Sequence, residues 1–226
     1  MSKRNGPILV SDFDGTMTRR DFYQLVAENR LPEGTPDFWV EYRAGRITHF
    51  EALRAYFLAA RPGEAELIEL TAAMKLDPHL GESLRALNAA GWTVVVASAG
   101  CRWYIDRLLR EAGVADRLEV HANEGGVVGG RLVMELPAES PVFSPTVGID
   151  KPAIVRRAMA QSDTVAFAGD GPPDLEPALL VPPALRFATG TLAEELARRG
   201  EPFRRFTVWS DVARALLAGA TGTAAQ

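Results

Sequence analysis

Apolar positions along this chain follow two rhythms. Short, nearly continuous apolar runs occur at Pro7-Ile8-Leu9-Val10, Thr93-Val94-Val95-Val96-Ala97-Ser98 and Thr164-Val165-Ala166-Phe167-Ala168. Between them lie stretches with helical spacing. Runs of the first kind read as strands of a parallel sheet covered by helices on both faces, so the pattern predicts an α/β fold with a doubly wound parallel sheet. Helices are expected from His79 to Ala90, from about Arg102 to Glu111, from Asp150-Lys151-Pro152 onwards, and from Leu192 to Arg199. Proline suits the first turn of the third of these. Asn123 to Leu136 alternates around two glycine pairs and reads as a β-hairpin. Arg186-Phe187-Ala188 and Thr207-Val208-Trp209 read as short edge strands, and the Ala/Gly/Thr tail after Leu217 as frayed.

About eighty residues separate the first apolar run from the second, too many for a simple crossover. Four helical blocks fill the interval: Asp21 to Asn29, Asp37 to Ala44, Thr48 to Ala60 and Glu64 to Lys75. Gly34, Gly45 and Pro62-Gly63 punctuate them as turn or capping signals. Residues 17–77 therefore read as a small helical bundle inserted after the first strand, leaving 1–16 and 78–226 as the core.

The first apolar run ends in Asp12-Phe13-Asp14-Gly15-Thr16. Side chains alternate along an extended backbone, so Asp12 and Asp14 share a side. Two acids at one mouth need a cation between them, or one must take up a proton; the bland alternative is an Asp-Gly turn. The other two runs also end in polar groups, Ser98 before Ala99-Gly100, and Asp170 and Asp174 after Gly169. Open parallel sheets bind ligands beyond the carboxyl ends of their strands, where strand order reverses, so these residues converge on one candidate site.

Four pieces in this order, Asp12 to Thr16, Ser98, Lys151, and Gly169-Asp170-Gly171-Pro172-Pro173-Asp174, resemble the haloacid dehalogenase superfamily phosphatases and, within them, the phosphoserine phosphatase branch. The resemblance implies a Rossmann-like core with the helical insertion as a cap. It implies a Mg²⁺-dependent phosphomonoesterase acting through an aspartyl-phosphate, and it assigns roles to residues. Asp12 would be the nucleophile and a metal ligand. Asp14 would be the general acid and base, its backbone carbonyl reaching the metal, against the alternative of a turn with Gly15. Ser98, Ala99 and Gly100 would cradle the phosphate, although a serine here is also an ordinary helix cap. Lys151 would steady phosphate and nucleophile. Asp170 would bind metal, and Asp174 would do so directly or through water, with a helix first-turn acid as the plain alternative.

The resemblance further implies a small phosphorylated metabolite as partner, with the methionine-salvage enol phosphate 2-hydroxy-3-keto-5-methylthiopentenyl 1-phosphate ranked before phosphoserine. Asp21 stands where the branch carries a glutamate that meets the phosphoserine ammonium, with helix capping as the alternative. Arg43 and Arg46 are the nearby cations for a substrate carboxylate, or ordinary surface charges. A phosphomutase and a catalytically silent phosphate-binding module remain competing classes.

Composition narrows the picture further. The 226 residues are 47% hydrophobic and 24% charged with a formal net charge of −4, a globular makeup with no electrostatic footprint for nucleic acid or an anionic membrane. No apolar run approaches the roughly 20 residues that span a bilayer. Met1 to Gly6 leads directly into the first strand, so no signal peptide is expected. The single cysteine, Cys101, excludes an internal disulfide framework, and a cytoplasmic location is expected. His49, His79 and His121 lack metal-ligand spacing and read as structural; Trp39, Tyr42 and Phe57 read as packing within the helical insertion.

Overall fold

The structure, a computed structural model, describes residues 6–221. The chain runs β1 (Ile8–Ser11), α1 (Phe22–Arg30), α2 (Phe38–Arg43), α3 (His49–Ala59), α4 (Glu64–Ala73), α5 (Leu80–Ala89), β2 (Thr93–Cys101) and α6 (Arg102–Glu111). It continues through β3 (Glu119–Val128), β4 (Arg131–Glu135), β5 (Phe143–Ser144), β6 (Gly148–Ile149), α7 (Lys151–Gln161), β7 (Val165–Gly169) and α8 (Leu175–Leu180). It ends with β8 (Arg186–Ala188), α9 (Gly190–Arg198), β9 (Arg204–Arg205) and α10 (Trp209–Thr221).

Seven strands form the main sheet in the order β4-β3-β2-β1-β7-β8-β9. All neighbours are parallel except β3 and β4, which form the antiparallel hairpin. The β-branched and small apolar residues of β1, β2 and β7 divide between two cores. Leu9, Val94, Val96, Ala166 and Ala168 pack with α5, α6 and α10 on one face. Ile8, Val10, Val95, Ala97 and Phe167 pack with α7, α8 and α9 on the other. The chain leaves β1 for β2 on one side and reaches β7 on the other, so strand order reverses at β1. Asp12 follows directly, and its N–H still pairs with Ala168 O at 2.9 Å.

Helices α1 to α4 lie between β1 and α5. The outgoing and returning chains touch at a bridge between Thr18 and Leu76, and Asp77 N–H reaches Met17 O at 3.0 Å. Phe22, Phe57 and Leu67 from these helices, with Met74 just after α4, join Phe13, Met17 and Tyr104 in the first core. Helix α2 differs, with no buried residue.

Three expectations need correction. Thr207-Val208-Trp209 is not a strand: Thr207 N–H and Val208 N–H donate to Asp211 Oδ2 at 2.9 and 3.1 Å, and Trp209 opens α10. The β-branched pair suggested an edge strand, but a side-chain acceptor two residues into the helix caps it, and the edge is Arg204–Arg205 instead. The segment after Leu217 continues as α10 to Thr221, as its alanines favour; residues 222–226 lie outside the described residues. Strand β2 does not stop at Ser98 but runs to Cys101, with its register against β3 shifting between Ala97 and Cys101. That irregularity leaves Ser98 to Gly100 as a bulged strand end, the kind of feature that re-aims side chains beside a site.

Candidate active site

Beyond the carboxyl ends of β1, β2 and β7 lies a cleft of about 700 Å³. Its floor holds Asp12, Asp14, Ser98, Ala99, Gly100, Lys151, Asp170 and Asp174. Lys151, first residue of α7 and buried, reaches across the floor. Its Nζ donates to Asp12 Oδ1 at 2.7 Å and to Asp174 Oδ1 at 2.6 Å. The second oxygen of Asp174 accepts the backbone N–H groups of Asp170 and Gly171 at 3.1 and 3.0 Å. Thr16 Oγ1 lies 3.4 Å from Asp12 Oδ2 and 3.3 Å from Asp170 Oδ1. Gly15 has a φ of 72°, and a Cβ there would strike the Asp170 carboxylate. Only glycine lets the β1 turn pass so close.

Asp14 is held separately. Its Oδ1 accepts Phe22 N–H at 3.1 Å, and its Oδ2 accepts Tyr104 Oη–H at 2.8 Å and Ser98 Oγ–H at 3.4 Å. Tyr104 is a fully buried residue of α6 whose ring stacks on Phe22 at 4.4 Å. The bulge at Ser98 to Gly100 is fixed twice. Gly100 N–H donates to Ser98 Oγ at 3.0 Å, and Asn123 Nδ2 on β3 donates to Ala99 O at 2.7 Å. A Cβ at Gly100 would strike Tyr104 Oη and the Asp14 carboxylate.

Negative charge exceeds positive in this floor. Burial first, then the charge of Asp174, pushes Asp12 up to about 7 despite Lys151. Burial, Asp12 and Asp174 push Asp170 up to about 9. Burial also raises Asp14, against the hydrogen bonds from Phe22 and Tyr104. Burial opposes the charge on Lys151, yet Asp12 and Asp174 hold its pKa above the ordinary lysine value. Carboxylate oxygens of Asp12, Asp170 and Asp174 lie within 4.8 Å of one another. A hard, all-oxygen donor set with uncompensated charge fits a divalent cation. Within that set Asp174 has both oxygens engaged by Lys151 and by backbone N–H groups, whereas Asp170 meets only the Thr16 hydroxyl and the neighbouring carboxyl of Asp12 among the described residues.

The facing wall comes from α1, α2 and α3. Asp21 lines it and also caps α1, accepting Tyr23 N–H at 2.8 Å; burial and the charge of Asp14 push it up to about 8. Arg43 stands at the rim, 64% exposed and 3.5 Å from Asp37. Arg46 does not line the cleft and pairs with Glu41, its second nitrogen at 2.7 Å. Trp39 and Tyr42, expected within the packing of the insertion, line the cleft with Tyr23; Phe57 is buried as expected. His49, read as structural, lines it too. Tyr104, Asn123 and Thr16 were missed as site residues. Thr16 stood in the first motif and Asn123 in the stretch His121-Ala122-Asn123-Glu124, which also resembles the family, while Tyr104 carries no local signal, since only the fold brings it to the strand ends.

A parallel α/β sheet with carboxylates and a lysine at its topological switch point defines a class of acid-rich α/β site suited to a divalent cation. Residues 9–178 match the profile of the haloacid dehalogenase-like hydrolase family, and the chain belongs to that family. It is 22% identical over 211 residues to the 2-hydroxy-3-keto-5-methylthiopentenyl-1-phosphate phosphatase of Bacillus pumilus, covering 91% of this chain and 89% of that one. It is 24% identical over 186 residues to the bifunctional enzyme MtnB/MtnX of Bacillus licheniformis, 76% of this chain but only 40% of that longer protein. A substrate-bound phosphoserine phosphatase has the same fold, with a TM-score of 0.62 at 16% identity over 92% of this chain and 94% of that one. Among the described residues no helix is long and apolar enough to cross a membrane.

Proposed function

We propose that this protein is a Mg²⁺-dependent phosphomonoesterase that works through an aspartyl-phosphate on Asp12. The observation that carries the reading is the Asp12–Lys151–Asp174 chain beside Asp170 at the strand ends, within a hydrolase family whose matched relatives include named phosphatases. Lys151 holds the Asp12 carboxylate, one oxygen of which attacks phosphorus as the ester P–O bond breaks. The leaving alkoxide takes a proton from Asp14, whose raised pKa suits it to carry one. Asp14 then takes a proton from the water that attacks the aspartyl-phosphate; the bond to Asp12 breaks and phosphate leaves. Ser98, Ala99 and Gly100 hold phosphoryl oxygens, and Lys151 offsets their charge.

Asp12, the Asp14 backbone carbonyl and Asp170 would hold Mg²⁺, with Asp174 behind them. When bound, it supplies positive charge against the repulsion between carboxylate and phosphoryl group. Residues 17–77 act as the cap that excludes water and reads the substrate. The substrate is a small phosphorylated metabolite, with the methionine-salvage enol phosphate named for the Bacillus pumilus relative ahead of phosphoserine.

The decisive measurement is phosphate release by Asp12→Asn. The amide matches the carboxylate in shape but is no nucleophile, so turnover should fall more than about a thousandfold, roughly 4 kcal/mol of barrier. A folded variant keeping a tenth of wild-type activity would exclude this mechanism.

A further inference from the structure

The wall facing the carboxylates contains a polar group that the mechanism leaves unused. His49 opens α3 and lines the cleft, its ring centroid 5.1 Å from Trp39 and 5.6 Å from Tyr42. Its Nδ1 is buried with no hydrogen-bond partner among the described residues. Burial first, then the charge of Lys151, pushes the imidazole down to about 4, so it is neutral at physiological pH. A neutral imidazole offers one donor and one acceptor nitrogen, and among the described residues no hydrogen bond to either is seen. Such a group, set tilted and edge-on among rings and unused by the fold, is placed to meet a ligand.

The charges around it narrow what that ligand can be. Among the described residues lining the cleft, the only buried cation is Lys151, engaged by Asp12 and Asp174. Arg43 is at the solvent rim beside Asp37. Asp21, the one acid of the wall that lines the cleft, is held towards its neutral form. A substrate therefore finds aromatic faces and a neutral hydrogen-bonding ring in this wall, and no buried charge to meet an amino acid's carboxylate.

Building on the phosphatase reading, we propose that His49 determines specificity, its imidazole hydrogen-bonding a hydroxyl or carbonyl oxygen of an otherwise uncharged phosphomonoester whose remainder packs on Tyr23, Trp39 and Tyr42. Nε2 is the nitrogen left for that bond, because Nδ1 is buried. The substrate class is the phosphate ester of a neutral polyol or hydroxyketone rather than of an amino acid.

The test compares kcat/KM for wild type and His49→Phe on dihydroxyacetone phosphate, on n-propyl phosphate, which has the same carbon count but no further oxygen, and on phosphoserine. Phenylalanine keeps the ring packing and removes both nitrogens. Wild type should prefer dihydroxyacetone phosphate to both other esters. The variant should lose roughly tenfold or more on it while changing less than about threefold on n-propyl phosphate. His49→Gln should recover part of the loss. Equal loss on both neutral esters, no loss on either, or a wild type that favours phosphoserine would overturn the assignment. If His49→Phe does not fold, the same ratio is read from His49→Leu. A wild type that releases phosphate from no ester would instead overturn the phosphatase reading itself.

Discussion

In the floor of the cleft every carboxylate has a partner held by the core, whereas in the helical wall the rings mostly touch one another. Asp12 and Asp174 share Lys151, Asp14 is held by Tyr104 and Phe22, and Asp170 meets Thr16. Removing one partner from a buried charge pair costs about 3–5 kcal/mol. An aromatic pair such as Tyr23–Trp39 or Trp39–His49 contributes about 0.5–1.5 kcal/mol. Helix α2, which carries Trp39 and Tyr42, has no buried residue and is flanked by Gly34 and Gly45, both at positive φ. The floor is preorganised and the wall adjustable. Changes in the floor should act on turnover, and changes in the wall on substrate choice.

The largest break in that contrast is expected at Asp170. Asp170→Ala should lower activity at ordinary Mg²⁺ by more than about a hundredfold, since a carboxylate proposed to hold the ion, and not tied to Lys151, is gone. It should also raise the melting temperature of the metal-free protein, because a half-buried acid in an already negative floor disappears. Asp174→Asn should do the reverse. An amide cannot accept both from Lys151 and from the two backbone N–H groups, so stability falls by about 1–3 kcal/mol, while the metal requirement rises less than in Asp170→Ala. Mg²⁺ titrations of activity and thermal melts in chelator separate the two. Equal metal requirements in both variants would remove the distinction between them.

Next in size is a pH effect on the metal-free protein. Asp170 and Asp21 have ordinary values of 3.8 but native values of about 9 and about 8. The native state therefore binds these protons more tightly than the unfolded chain. The resulting stabilisation is complete below about pH 4 and is lost as pH rises through 8 and 9. Melting in chelator should drop by several degrees between pH 5.5 and 8.5, and Mg²⁺ should reverse the slope by favouring the ionised acids. A metal-free melting temperature that climbs over this interval would mean that the acids are ionised and stabilised by other means.

The same contrast governs what could be read from the chain. That Asp12, Ser98, Asp170 and Asp174 gather at one mouth was legible because each sits at or just beyond a strand end, where local pattern fixes position. The doubly wound sheet was legible from the apolar runs for the same reason. Lys151 stood out only through its place in the order of the resemblance. Tyr104 was not, because within α6 it is one more apolar position and only tertiary packing brings its hydroxyl to Asp14. Asn123 stood in a stretch that resembles the family, but nothing local showed that its amide would hold Ala99. His49, Trp39 and Tyr42 failed differently. Helical spacing says that a face is apolar, but a ring facing a cleft and a ring facing a core leave the same periodicity. Thr207-Val208 misled because strand propensity yielded to a cap supplied by Asp211.

Tyr104→Phe tests whether the grip on Asp14 matters to turnover. The loss of one hydrogen bond to a charged group, about 1.5–3 kcal/mol, should slow alkyl esters by roughly tenfold or more if Asp14 is the proposed proton donor, because their leaving groups need that proton. p-Nitrophenyl phosphate needs little protonation and should slow by less than about threefold. If both esters slow equally, Tyr104 serves the fold rather than the proton.

The smallest expected effect lies in the wall, at Asp21. Its carboxylate caps α1 through Tyr23 N–H while lining the cleft, so the side chain is short because two tasks share it. Asp21→Glu lengthens it by one methylene towards the substrate and weakens the cap, costing about 0.5–2 kcal/mol of stability. An ammonium group would then find a nearer partner, whereas a neutral ester would gain nothing. The ratio of kcat/KM for phosphoserine over dihydroxyacetone phosphate should rise a few-fold, carried by KM, with turnover on the neutral ester nearly constant. A fall in turnover on both substrates would show that this part of the wall is coupled to the floor through Phe22, whose backbone N–H holds Asp14 one residue after Asp21, and that the division between a rigid floor and an adjustable wall stops short of α1.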